Sequence, residues 1–406
     1  MSEIHTAPKR TWLRRPSFFI TIGALLYCLL VILIQNGDPL ALVTLGTRAT
    51  QGIPAEMGGT EGYDGQFVYF IARDHISAPF FIAQGEDIPA YRFQRILLPV
   101  LGGVLSFGNE TLIPFSLLII NLVALWAGGM LLESLLVQFG ASRWYVLGYA
   151  LTIAIFGTVR LSLPEVLACS LVLGGIFAMN RDKWLWGAWL FALAILSKET
   201  SAVFVAGYAL WMLTQRQFGR IVWFSVISIT PFLFLQMALY QKFGMFGVGS
   251  GGAMATSFEI IPFAGVFKIG EAIIQAVTEA LAQPDANVGS ILFKAGAGLL
   301  VFVIILGIFV ILPTLWGLKR VWIDFREKNW DIWTILLGIN AALMLFVPFS
   351  TYREFLGILR FIGGLQIAVI LYSAQRGNKR ALRNSTIWIF TLLLLVGSDL
   401  AGGTPS

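Results

Sequence analysis

Long apolar runs alternate with short polar breaks along this chain, and the length of the runs sets the fold class. They fall at about 17–36, 111–138, 144–159, 164–180, 184–197, 199–214, 221–241, 291–316, 332–349, 358–374 and 385–400, with a shorter one at 96–107. A hydrocarbon core roughly 30 Å thick is crossed by about 20 helical residues, so the longer runs are read as membrane-spanning helices. The short run, ILLPVLGGVLSF, reaches only about 18 Å as a helix and is predicted to lie at the interface or to re-enter. WLWGAWLFALAILSKETSAVFVAGYALWML is split into two short spans around Ser197-Lys198-Glu199, which places Lys198 and Glu199 deep. The expectation is an all-α integral membrane protein, residues 1–406 forming one membrane domain of about 11 transmembrane helices. Two polar stretches interrupt it, a first outer loop at 37–110 carrying juxtamembrane helices and a second outer loop at 242–290.

Composition agrees with that pattern. The chain is 57% hydrophobic and 12% charged, with a mean hydropathy of +0.79, outside the range of soluble domains. Charge then orients it. The basic loops NRDKW, TQRQFGR, KRVWIDFREK and SAQRGNKRALRNS must share a side with the basic N-terminus under the positive-inside rule, and eleven spans satisfy this. The N-terminus is read as cytoplasmic and followed by a retained first helix, with the two long loops outside, in a plasma membrane. A pI near 9.4 then reflects topology and anionic headgroups, not nucleic acid. Cys28 and Cys169 both sit in apolar runs and read as small buried hydrophobes, with no disulfide framework and no zinc site.

Ionisable residues outside the loops gather where spans emerge on the predicted outer face: Arg160 and Glu165 in VRLSLPE, Lys198 and Glu199 in LSKETS, Arg353, Glu354 and Arg360 in STYREFLGILR, and Asp399. Each can pair locally or snorkel; together with the acidic first loop they suggest a polar cavity opening outward. Within that loop, EGYDGQFVYFIARD at 61–74 places Tyr63, Phe67, Phe70 and Ile71 on one helical face, the spacing of an amphipathic helix lying on the membrane. Asp64 stands at its start, where it can be the N-cap, a catalytic carboxylate, or both. Gly62 and Gly65 leave room beside it for a substrate. YRFQR supplies Arg92 and Arg95 just before the interfacial segment, where headgroup anchoring beside Tyr91 and Phe93 is one reading. His75 reads as loop filler. GVGSGGAMATSF at 247–258 follows no strand and lacks a P-loop lysine, so it reads as a flexible loop or lid, followed by surface-lying amphipathic helix.

An acidic motif after an aromatic residue in the first outer loop (Tyr63-Asp64-Gly65), PAYRFQRILLPVLGG running into an interfacial segment, the acid of LSLPE and the lysine hairpin LSKET together resemble the GT-C class of polytopic membrane glycosyltransferases, over roughly residues 10–240. The resemblance implies a polyprenyl-phosphate-linked sugar donor, a glycan, lipid or protein acceptor, and inverting transfer on the non-cytoplasmic face, in building the cell envelope. Asp64 is then the expected base, with Glu165 orienting the acceptor or the base. Arg92, Arg95, Arg353, Arg360 and Lys198 are expected on the donor phosphate. Glu61, Tyr63, Gln66 and Glu199 are candidates for acceptor or metal contacts. The first-loop acid is ExxD (Glu61 and Asp64) and not a plain DxD, so a divalent metal ion is an option and not a requirement. The alternative is a non-enzymatic transporter or flippase of a lipid-linked saccharide, for which Asn121, Asn340 and Gln366 are the chief mid-span polar groups; a scaffold role would need none of the outer acids.

Overall fold

The computed structural model describes residues 15–252, 255–283 and 287–400. The described residues are helical, with no strand among them. Among the described residues, five helices are long and apolar enough to cross a membrane: Pro16–Ile34, Glu110–Gln138, Phe218–Phe243, Val288–Arg326 and Lys379–Leu400. A sixth is added if the bent pair Phe355–Phe361 and Gly363–Gln375 counts as one span. Glu165–Met179, Trp184–Ser197 and Ile332–Leu345 are apolar but shorter. Large apolar side chains such as Leu33, Phe234 and Leu300 point outward from the long helices. That arrangement is compatible with a multi-pass membrane protein, since every backbone polar group inside a helix is satisfied within it. It does not reproduce eleven full-length spans.

The run at 144–159 departs most from expectation. Instead of one helix it forms short turns at Arg143–Val146, Leu147–Ala150, Ile153–Gly157 and Thr158–Arg160. Thr152 is extended (φ −133°, ψ 160°), and the amide of Ile153 donates to Thr391 Oγ1 at 3.2 Å, a partner from the far end of the chain. Tyr149, Ala150, Ile153, Ala154 and Ile155 are all fully buried. The segment is apolar because protein surrounds it, and apolarity alone does not distinguish protein from lipid.

Small residues bring the central helices together. Ser170 Oγ donates to the carbonyl of Ala124 at 2.6 Å, and a Cβ on Gly128 would lie 2.4 Å from Ser170 Oγ, so Glu165–Met179 rides directly on Glu110–Gln138. On the other side Phe191, Tyr208 and Phe224 form an aromatic cluster linking Trp184–Ser197, Ala202–Thr214 and Phe218–Phe243.

The helix that follows Asp64 is not laid on a surface. The helix Gly65–Arg73 packs inside the protein, with Phe67, Phe70 and Ile71 at 6%, 2% and 6% exposure. A Cβ on Gly103 of the Leu97–Leu105 helix would stand 2.8 Å from the carbonyl oxygen of Ala72, so the two helices touch backbone to backbone. The amphipathic stripe is therefore a core stripe, which the same periodicity serves equally well. Gly65 is needed for packing as well, because its Cα faces the carbonyl of Leu161, which a Cβ would meet at 2.3 Å. Gly62 turns the chain at φ +74° against Gly46 and Thr44. Neither glycine is spent on leaving space for a ligand.

Candidate functional site

Segments distant in sequence enclose a cavity of about 930 Å³. Its wall includes Asp64 from the first loop, Arg92 and Arg95 from YRFQR, Lys198 and Glu199 from the turn before Ala202–Thr214, and Arg353, Glu354 and Arg360 around the Phe355–Phe361 helix. Ala255, Thr256, Ser257 and Phe258, from the glycine-rich segment, close one side. Thr256 is held there by Ser350, whose Oγ accepts from the Thr256 amide at 2.9 Å. Ala253 and Met254 of that segment lie outside the described residues. Arg92, Arg95, Arg353 and Arg360, expected from sequence on a donor phosphate, all line this one space.

Asp64 stands at the start of Gly65–Arg73 but makes no side-chain cap bond. Its carboxylate is divided between two guanidinium groups, with Arg92 Nη1 2.9 Å from Oδ1 and Arg360 Nη2 donating to Oδ2 at 2.8 Å. Burial by itself would raise the Asp64 carboxyl, but the charges of Arg92 and Arg360 outweigh it and hold the group far below the usual carboxylate range. Capping is therefore not what this residue does.

The other ion pairs interlock around that one. Arg92 also donates through Nε to Asp87 Oδ2 at 2.9 Å and lies over the Phe67 ring at 4.3 Å. Arg95 meets Glu199 with both prongs of its fork, Nε to Oε2 at 3.0 Å and Nη2 to Oε1 at 2.8 Å, and takes the hydroxyl of Tyr91 as a further acceptor at 2.7 Å. Glu199 is thus a partner of Arg95 and lines the cavity beside it. Arg360 lies over the Tyr63 ring at 5.0 Å, so Tyr63 supports the arginine from below.

Glu165 is placed off the main cavity, while Gln66 and Glu61 line it in other settings than expected. Glu165 is buried behind Lys198, whose Nζ donates to its Oε1 at 2.5 Å, and does not line the main cavity. It borders two small voids of about 20 and 40 Å³, the first shared with Asp64, Arg92 and Arg95 and the second with Cys169, Lys198 and Arg360. Gln66 is consumed in bracing the loop, accepting from the Gly46 amide at 3.0 Å and donating to the Glu61 carbonyl at 2.9 Å. Glu61 sits exposed at the rim. No group of three or more His, Cys, Asp or Glu is arranged to hold a metal ion among the described residues. With both Asp64 oxygens taken by arginines, the Glu61 and Asp64 pair does not fit a divalent cation.

Arg160 and Asp399, counted with the cavity from sequence, instead pair with each other, Arg160 Nε to Asp399 Oδ2 at 3.0 Å and Nη2 to Oδ1 at 2.6 Å. Of the cysteines, Cys28 is buried and Cys169 half-buried, both as free thiols; His75 is exposed. Sequence reasoning passes over Asp87 and Arg48, which complete the wall. The signal that could have found Asp87 is its place five residues before Arg92, one helical turn and a cap away. The chain matches no family model, no curated protein and no solved structure.

Proposed function

We propose that the protein is a membrane glycosyltransferase, moving a sugar from a polyprenyl-phosphate donor to an acceptor on the non-cytoplasmic face. The observation that carries this reading is the cavity wall: Arg92, Arg95, Lys198, Arg353 and Arg360 face one space of about 930 Å³ that also exposes carboxylates. In glycosyl transfer from a phosphate, negative charge grows on the leaving oxygen while positive charge grows on the sugar ring. Guanidinium forks suit the first, because they meet phosphate oxygens two at a time. Asp64, fixed as an anion at the meeting point of Arg92 and Arg360, suits the second. The GT-C resemblance supports the same reaction class, though it gives Asp64 the role of base.

Orientation follows from charge. In this reading the loops at 182 and 217 are cytoplasmic, the cavity opens outward, and the chain crosses the membrane eleven times, several crossings being made by helices shorter than the hydrocarbon core, such as Glu165–Met179 and Trp184–Ser197. Cysteine-accessibility scanning on a background without Cys28 and Cys169 tests this; labelling of position 217 by an impermeant outer-face reagent contradicts it.

The activity is tested with the full-length protein in nanodiscs, using a panel of polyprenyl-phosphate hexoses and pentoses and following release of polyprenyl phosphate. Release that is lost in Arg360→Lys supports the reading, since lysine keeps the charge and loses the fork. Movement of the same lipids between leaflets without bond cleavage supports the flippase alternative instead.

A further inference from the structure

We propose that Glu354 is the group that takes the proton from the acceptor hydroxyl in this cavity, while Asp64 stays an anion throughout. The inference rests on the transferase reading and assigns a role to a residue that the first-loop motif does not contain.

Glu354 sits at the joint between Phe349–Arg353 and Phe355–Phe361, with extended backbone at φ −114° and ψ 126°. A carboxylate at a helix start is ordinarily drawn to the exposed amides of the first turn. This one makes no side-chain cap bond and lines the cavity instead. Its neighbours among the acids are engaged: Asp64 by Arg92 and Arg360, Asp87 by Arg92, Glu199 by Arg95. Glu354 has Arg353 as its ion-pair neighbour at 4.0 Å, outside hydrogen-bond reach. Glu61 also faces the cavity, but from its exposed rim, where bulk water competes for an acceptor's proton.

The electrostatic setting divides the two acids in opposite directions. Burial raises the Glu354 carboxyl, and the negative charges of Asp64 and Glu61 add to it; Arg360 and Arg353 oppose without cancelling the rise. Asp64 is pushed down by Arg92 and Arg360. Where two carboxyls in one site are driven apart, the raised one is suited to carry the proton and the lowered one to supply fixed charge. The step balances as a displacement. The acceptor O–H proton passes to a Glu354 oxygen as its O–C bond to the anomeric carbon forms. The C–O bond to phosphate breaks with its electron pair leaving on the phosphate oxygen, where the arginines receive it.

Two readouts on the full-length protein decide it. In difference infrared spectroscopy across a pH titration, wild type is expected to show a protonated-carboxyl band persisting above the ordinary glutamic acid range, absent in Glu354→Gln. Asp64→Asn, which removes a neighbouring negative charge, should move the midpoint down. In turnover of the polyprenyl-phosphate sugar panel, Glu354→Gln should lose on the order of 10²–10⁴-fold and lose the acid limb of the pH–rate profile, while Glu354→Asp keeps the limb. A persisting band in Glu354→Gln overturns the assignment, as does an unchanged profile. Should wild type turn over no member of the panel, the transferase reading falls by itself, and the infrared titration still decides whether Glu354 binds the proton.

Discussion

Arg160 and Arg360 are both buried arginines that meet a carboxylate hundreds of residues away, and they do different things. Arg160 is saturated: Nε and Nη2 hold Asp399, Nη1 donates to the carbonyl of Ala41 at 3.0 Å, and Tyr27 donates to the same Asp399 at 2.7 Å. Arg360 is not. Its Nη2 holds Asp64, but Nε and Nη1 have no hydrogen-bond partner among the described residues, and neither has Oε2 of the nearby Glu165. The first cluster closes the protein, tying the Pro16–Ile34 helix to the Thr158–Arg160 turn and to the end of the Lys379–Leu400 helix. The second lines an open cavity, its remaining donors Nε and Nη1 buried behind it with Nη1 3.9 Å from Glu165 Oε1. Identity of residue type does not separate a staple from a site; saturation and access do.

If that contrast holds, the largest effect is on turnover. Asp64→Asn is expected to slow transfer by on the order of 10²–10⁴-fold in protein that still folds, because asparagine fills the same volume without the charge. Full transfer by stable Asp64→Asn protein, with expression and thermal stability measured on the same preparation, would remove Asp64 from the chemistry.

Next in size is a loss of folding at the saturated cluster. Arg160→Ala strands Asp399 without its charge partner, and breaking a buried pair from one side costs about 3–5 kcal/mol. A chemical or thermal denaturation series in detergent should place Arg160→Ala well below Arg360→Lys. Equal losses would erase the distinction between staple and site.

A smaller effect concerns the open cluster alone. Asp64 takes one Nη donor of Arg92 and one of Arg360, donors that a phosphate would use, so it competes with one. Removing it in Asp64→Asn should tighten binding of inorganic pyrophosphate by roughly tenfold, about 1.4 kcal/mol, in isothermal titration. Weaker binding in that variant would mean that the forks are not the anion site.

The smallest expected effect is on acid stability. The Asp64 carboxyl is lowered in the folded protein, so its contribution is present above the unfolded value of about 3.9 and is lost as pH falls toward the folded value. Between about pH 5 and about pH 3, wild type should therefore lose stability faster than Asp64→Asn, with the gap closing as acid is added. Parallel curves would show that the ion pairs around Asp64 add nothing to folding.

How much of this was legible in the sequence varies by residue. The acid of EGYDGQ, the arginines of YRFQR and the charges of STYREFLGILR could be singled out, because ionisable groups beside apolar runs are costly and stand out. Their mutual arrangement could not. Asp64 looks like an N-cap from its local context, and nothing near it in the chain announces Arg360 on the other side of the cavity. Arg160 and Asp399 look like cavity residues for the same reason that Arg360 does, and only their contact with each other removes them.

Local composition and period are enough to set the helical, apolar character of the chain, the positions of most helices and the polar identity of the first loop. Long-range packing was needed to make the 144–159 run a buried set of turns, to turn the Gly65–Arg73 stripe toward protein, and to leave Glu354 outside the ion-pair lattice that holds Asp64. Each of these depends on which distant groups arrive at hydrogen-bond or ion-pair distance. An apolar side chain gains from leaving water whatever it meets, whereas the behaviour of a charge is set by the particular partner about 3 Å away, and that partner is chosen by the fold.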